Sequence, residues 1–162
     1  MSKLFVDDIV EKTNGNGVQI PGHIVQVTRT YLASQSGYID TSSTSFVASG
    51  IIASLTPAKA GNIILIDLCI SMADAAAADT LKIKMNQSIG GAAYAPMAGA
   101  NDYHCGIQSA IRWTPQVFQG KYTTTNTSSV AFQPYFASAG GGTVRLVHDS
   151  SAYGLTLTEI AQ

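Results

Sequence analysis

The chain has 162 residues, enough for one domain of ordinary size with an appendage but not for two full domains. Hydrophobic residues make up 46% and charged residues 12%, about half the usual charged share, and the formal net charge is −1. The few Lys and Arg are scattered, which argues against nucleic-acid binding, and no run approaches the roughly 18–20 apolar residues of a membrane-crossing helix, so no membrane insertion is expected.

The chain opens Met1-Ser2-Lys3-Leu4-Phe5-Val6-Asp7-Asp8, with carboxylates where a secretory signal would carry its apolar core, so synthesis and assembly in a cytoplasm are expected. Leu4, Phe5, Val6 and Ile9 are too few and too far from local partners to make a core. This segment docks on another protein, intertwines with copies of itself, or forms a disordered tail. Asn14-Gly15 and Asn16-Gly17 suit turns with φ > 0, and Val18 and Ile20 lead into Pro21-Gly22, a joint in the chain. The division is therefore an N-terminal anchoring or oligomerisation segment, residues 1–21, and a β-domain, residues 22–162.

From Ile24 the hydrophobic period is two, the signal of a strand. Ile24 to Leu32 puts Val25, Val27 and Tyr31 on one face and Gln26, Thr28 and Thr30 on the other. Phe46 to Leu55 predicts a second strand, broken or bulged near Gly50 and ended by Pro57. Asn62 to Met72 reads as a central strand, with Ile64, Ile66, Leu68, Ile70 and Met72 on a fully apolar face and Ile63, Leu65, Asp67, Cys69 and Ser71 on a mixed one. The alanine-rich stretch from Ala73 to Asp79 is too short for an independent helix and is expected to be a loop or single turn.

Leu81, Ile83 and Met85 alternate with Lys82 and Lys84 in a further strand, followed by a long loop from Ser88 to Asp102. Strands are then expected at Tyr103 to Trp113, Val117 to Thr123, Val130 to Phe136, Thr143 to His148 and Gly154 to Ile160. Pro134 removes a ladder donor, which predicts an edge strand or a bulge, and Gly140-Gly141-Gly142 predicts a hairpin turn. Eight to ten strands without a convincing helix describe an all-β protein, an antiparallel β-sandwich or jelly-roll-like domain.

No catalytic, cofactor or metal site emerges. There is no Gly-x-Ser-x-Gly elbow, His23, His104 and His148 lack metal-ligand spacing, and Asp7-Asp8 lack the staggered ligands of a calcium loop. Cys69 and Cys105 have no redox or metal spacing; Cys69 reads as a small buried hydrophobe, and a disulfide is possible on count alone. A glycan depolymerase would require paired carboxylates, for which Asp40, Asp67, Asp74, Asp79, Asp102 and Glu159 are candidates by elimination only. Phe46, Trp113, Phe132 and Phe136 belong to the core pattern, whereas Tyr38, Tyr94, Tyr103 and Tyr153 lie in or beside polar loops. Such tyrosines stack on sugars, grip a protein partner, or cap a core edge or subunit interface.

The opening Ser2-Lys3-Leu4-Phe5-Val6-Asp7-Asp8-Ile9, the turn Asn14-Gly15-Asn16-Gly17-Val18 and the joint Ile20-Pro21-Gly22-His23-Ile24-Val25-Gln26 resemble the beginnings of small tail-fibre and appendage proteins of tailed bacteriophages. Ser43-Thr44-Ser45-Phe46-Val47-Ala48-Ser49-Gly50, Thr56-Pro57, Asn62-Ile63-Ile64-Leu65-Ile66 and the closing Leu155-Thr156-Leu157-Thr158-Glu159-Ile160 are similar to their β-domains. The resemblance implies a non-enzymatic structural protein of the virion, a homotrimer. Its N-terminal segment, with Leu4, Phe5, Val6, Ile9, Val18 and Ile20, would join another virion protein while the β-domain meets a host-surface glycan or protein. About 20 residues leave almost no room for a shaft, which keeps a capsid decoration or cement role beside a short tail appendage.

Overall fold

The computed structural model of the chain describes residues 21–34, 36–75, 79–97, 103–105 and 114–162. Among these residues there is no helix, and twelve strands form two sheets that pack as a β-sandwich. The N-terminal residues Leu4, Phe5, Val6, Ile9, Val18 and Ile20, assigned to anchoring, lie outside the described residues, as does Trp113.

The first sheet is organised around β5 (Ile63–Ala75), which pairs on one side with β9 (Thr114–Thr123). On its other side run β12 (Tyr153–Ile160) and β11 (Val144–Val147), which are followed outward by β1 (Ile24–Leu32) and β2 (Ile39–Thr41) respectively. The second sheet has β10 (Val130–Ser138) at its centre, between β6 (Leu81–Ile89) and the short strands β3 (Val47–Ala48) and β4 (Ala53–Leu55). The far side of β6 holds β7 (Ala95–Pro96) and β8 (Tyr103–Cys105).

Alternation explains the core. Ile64, Ile66, Leu68 and Ile70 of β5 are buried together with Leu155 and Leu157 of β12, against Leu81, Ile83, Met85, Val130, Phe132 and Phe136 of the other sheet. The apolar face expected to reach Met72 stops at Ile70: the register against β9 shifts between Ile70 and Ala73, so Ala73 and Ala75 take the inward positions and Met72 is half-buried. The same shift carries the strand through Ala75, into the stretch expected to be a loop.

Four further expectations change. In β1 the polar face turns inward: Gln26 Nε2 donates to Glu159 Oε2 (2.6 Å) and to the Thr56 carbonyl (2.7 Å), and Thr30 Oγ1 donates to the Ile52 carbonyl (2.5 Å). Cys69 is exposed and free rather than buried, because it alternates with the inward Leu68 and Ile70. Gly140-Gly141-Gly142 joins β10 to β11 in different sheets, so it is a crossover and not a hairpin. Pro134 sits in a central strand, β10, with partners on both sides. Its carbonyl accepts from Ser49 N (3.1 Å) on the side where β3 has ended and β4 has not begun. A strand residue points its N and C=O the same way, so the missing N–H faces that gap. Gly50, at φ 78°, makes the break between β3 and β4 that the sequence predicts.

Two buried carboxylates fasten the sandwich. Glu159, fully buried, accepts from Gln26 Nε2, Asn62 Nδ2 (2.8 Å) and Ala58 N (2.9 Å), tying β1, β12 and the 56–62 loop together. Asp79, at the other end, accepts from Ser138 Oγ (2.6 Å) and from the backbone N–H of Thr80 (2.6 Å), Gly140 (2.8 Å) and Gly142 (2.6 Å). A Cβ at position 142 would stand 2.7 Å from Asp79 Oδ2, so only glycine allows this approach. Burial pushes the Asp79 carboxyl up, but the hydrogen bonds from Ser138 and the three N–H groups outweigh it and lower the pKa from 3.8 to about 2.

Candidate functional site

The outward face of the first sheet has two contrasting regions. The first spans β1, β12, β5 and β9, about 14 Å across at roughly 4.8 Å per strand. Direct pairing sets three rows abreast: Val27, Thr158, Leu65 and Lys121; Arg29, Thr156, Asp67 and Gln119; Tyr31, Gly154, Cys69 and Val117. Val117 is 68% exposed, Val27 57% and Tyr31 55%, and Leu65 joins them at the surface. Polar contacts cross the middle row, where Gln119 Nε2 donates to Asp67 Oδ1 (2.9 Å), and the Arg29 guanidinium lies 4.5 Å over the Tyr31 ring. Isolated surface hydrophobes need no explanation, but a set sharing one sheet face marks a surface suited to association.

The second region lies where β2 and β11 meet the end of β5. Arg145 is paired directly with Asp40 on one side and Asp74 on the other, so the three side chains stand abreast. Arg145 Nη1 donates to Asp74 Oδ2 (3.0 Å), and Asp74 is 1% exposed. The guanidinium also stacks 4.5 Å over Tyr38, whose ring stands perpendicular to that of His148 with centroids 4.9 Å apart. Gly37 N donates to Asp149 Oδ1 (2.9 Å), which pins the loop carrying Tyr38 to the turn after β11, where Ser150 adopts φ 60°. Asp74 Oδ1 and Arg145 Nε are both buried without a hydrogen-bond partner.

The structure does not gather the four loop tyrosines into one site. Tyr38 is 48% exposed on this second region. Tyr94 is half-buried in the loop before β7, its ring 6.2 Å from Tyr135, and burial together with that neighbour raises its pKa. Tyr153 is half-buried against the core, the core-capping role that its position also allowed. Of Tyr103 only the backbone, in β8, is described.

Of the carboxylates named as depolymerase candidates, Asp40 and Asp74 flank Arg145, and the other described ones are dispersed. Asp67 is taken up by Gln119, Asp74 by Arg145, Asp79 by the glycine crossover and Glu159 by the buried clasp, while Asp40 stands exposed and Asp102 lies outside the described residues. Among the described residues no three His, Cys, Asp or Glu side chains are placed to hold a metal ion, and no helix is long and apolar enough to cross a membrane.

Sequence reasoning missed Asp74, Arg145 and His148 as a group. The available signal was the alternation in β11, where inward Val144 and Leu146 leave Arg145 on the outer face. Asp74 is a candidate carboxylate by elimination, but its alanine-rich surroundings give no sign of a partner. No protein-family model matches the chain, and no curated protein matches it.

Proposed function

We propose that the chain is a structural protein of a tailed-phage virion, a short tail-fibre or appendage domain that attaches to the host surface by non-covalent binding. In this reading it works as a homotrimer, and residues 1–21 join it to another virion protein. The observation that carries the proposal is the apolar region of the first sheet. Val27, Tyr31, Leu65 and Val117 stand open on one face, and the chain enters that face's edge strand directly from the N-terminal segment through Pro21 and Gly22. A protein that assembles covers such a face with copies of itself or with the particle, and a chain only 12% charged suits that use.

The same face supports a second reading, a decoration or cement protein that seats it against the capsid. Antibody-gold labelling of intact particles separates the two, with label at the tail expected and label over the head favouring decoration. Light scattering on the purified full chain at micromolar concentration tests the trimer. A stable monomer removes self-association from the proposal.

A further inference from the structure

We propose that Tyr38, Arg145 and His148, rimmed by Asp40 and Asp149 and underlain by Asp74, form a subsite for a neutral hexose of a surface glycan. The proposal rests on the attachment reading above and assigns the chemistry it would use.

The geometry supplies the parts a sugar site needs. Tyr38 offers a ring that is 48% exposed, and its orientation is held by the Arg145 guanidinium 4.5 Å over it and by the His148 ring, perpendicular to it at 4.9 Å. A held aromatic ring makes a platform for the apolar C–H face of a pyranose at little entropic cost, because its rotamer is already fixed. The loop beneath it is held as well, through Gly37 N to Asp149 Oδ1.

The polar groups beside the ring match hydroxyls. Arg145 uses Nη1 on Asp74 and keeps 30% of its side chain exposed. Its Nε and Asp74 Oδ1 leave one donor and one acceptor unused. A hydroxyl suits either atom, since it accepts from N–H and donates to a carboxylate. Both atoms are buried, so a hydroxyl reaches them only when the Arg145 side chain shifts. Exposed Asp40, abreast of Arg145, adds a further acceptor.

Charge decides between sugar classes. One arginine faces three carboxylates, Asp40, Asp74 and Asp149, so the site carries an excess of negative charge that repels uronic acids, sialic acids and phosphosugars. A neutral polyol pays no such penalty and gains charge-assisted hydrogen bonds to both signs.

The test is a titration of the full chain, followed by NMR, with the methyl glycosides of glucose, galactose and mannose and with glucuronate as the anionic probe. Saturable binding of at least one neutral glycoside in the millimolar range is expected, weakened at least tenfold in Tyr38→Ala and kept within about threefold in Tyr38→Phe. Tyr38 is an exposed loop residue, so the variants should melt with wild type. No binding by any of the three at 50 mM, binding unaffected by Tyr38→Ala, or glucuronate binding as well as the neutral sugars would each overturn the proposal. A parallel assay asks whether the purified protein blocks phage adsorption to host cells. Blocking without hexose binding sinks the subsite and leaves the attachment reading standing, whereas hexose binding without blocking does the reverse.

Discussion

The two regions on the outer face of the first sheet share one strand, β5, yet exposed hydrophobes mark one and carboxylates the other. Between Leu65 and Cys69 the outward side chains of β5 are small, apolar or paired with an amide, and exposed hydrophobes flank a polar row. Roughly 16 Å beyond Cys69, past the register shift between Ile70 and Ala73, Asp74 pairs with Arg145, which stacks on Tyr38, and carboxylates gather around a single arginine. One irregularity of pairing thus separates a surface fit for protein association from one fit for a small polar ligand. Each region also rests on its own buried carboxylate. Glu159 secures β1 under the apolar region, and Asp79 secures the crossover that feeds β11 and Arg145.

The largest effect should come from removing the first of these supports. Glu159→Ala leaves the Gln26 amide, the Ala58 N–H and the Asn62 amide without their acceptor, and should lower stability by about 3 kcal/mol in urea unfolding. Hydrogen exchange should show β1 loosening first, while the Tyr38 region keeps its protection. Uniform loss across the domain would show that the two regions are not independently supported.

Next in size, Leu65→Asp combined with Val117→Asp should weaken self-association about 100-fold by light scattering, because two apolar contacts are replaced by charges that an interface must bury. Tyr38→Ala should leave the assembly unchanged. If Tyr38→Ala also dissociates it, the division of labour between the regions fails.

Acid should act on the other support. The Asp79 pKa is lowered from 3.8 to about 2, so its contribution to stability is fully present above pH 4 and is lost as the pH falls toward 2. Unfolding midpoints measured between pH 4 and pH 2 should fall more steeply in wild type than in Asp79→Asn, which has no carboxyl to protonate there. Equal slopes would remove Asp79 from the account.

The smallest expected effect is a local one. Cys69 is an exposed free thiol paired directly with Val117 in the apolar region. In a Cys105→Ser background its maleimide labelling should slow several-fold as protein concentration rises and copies cover it. Labelling independent of concentration would place the self-association surface elsewhere.

Much of the sandwich was legible because its strands alternate. Ile24–Leu32 was readable to the residue, and the buried set Ile64, Ile66, Leu68 and Ile70 follows directly from period two. What period two does not encode is which face of an edge strand turns inward. In β1 the polar Gln26 and Thr30 take the inward-facing, half-buried positions, where they donate to Glu159 and to the carbonyls of Thr56 and Ile52, acceptors that come from 22 to 133 residues away. The same limit hid the Arg145 cluster, since Tyr38, Asp74, Arg145 and His148 meet only through sheet pairing. Tyr38 alone was legible, as an aromatic in a polar loop. Cys69 was misread because a hydrophobic run suggested burial on both faces, whereas the outer face at that point is open.

Pro134 gives β10 an index mark. A strand of period two can slide by two residues against its neighbours and keep its apolar face inward, so hydrophobicity alone leaves such shifted alignments nearly degenerate. The proline breaks the tie: only one alignment sets its donorless nitrogen opposite the gap between β3 and β4, and any slide would bring it against a carbonyl that needs an N–H. Because β3 and β4 both pair with β10 on that side, one residue fixes the alignment of both.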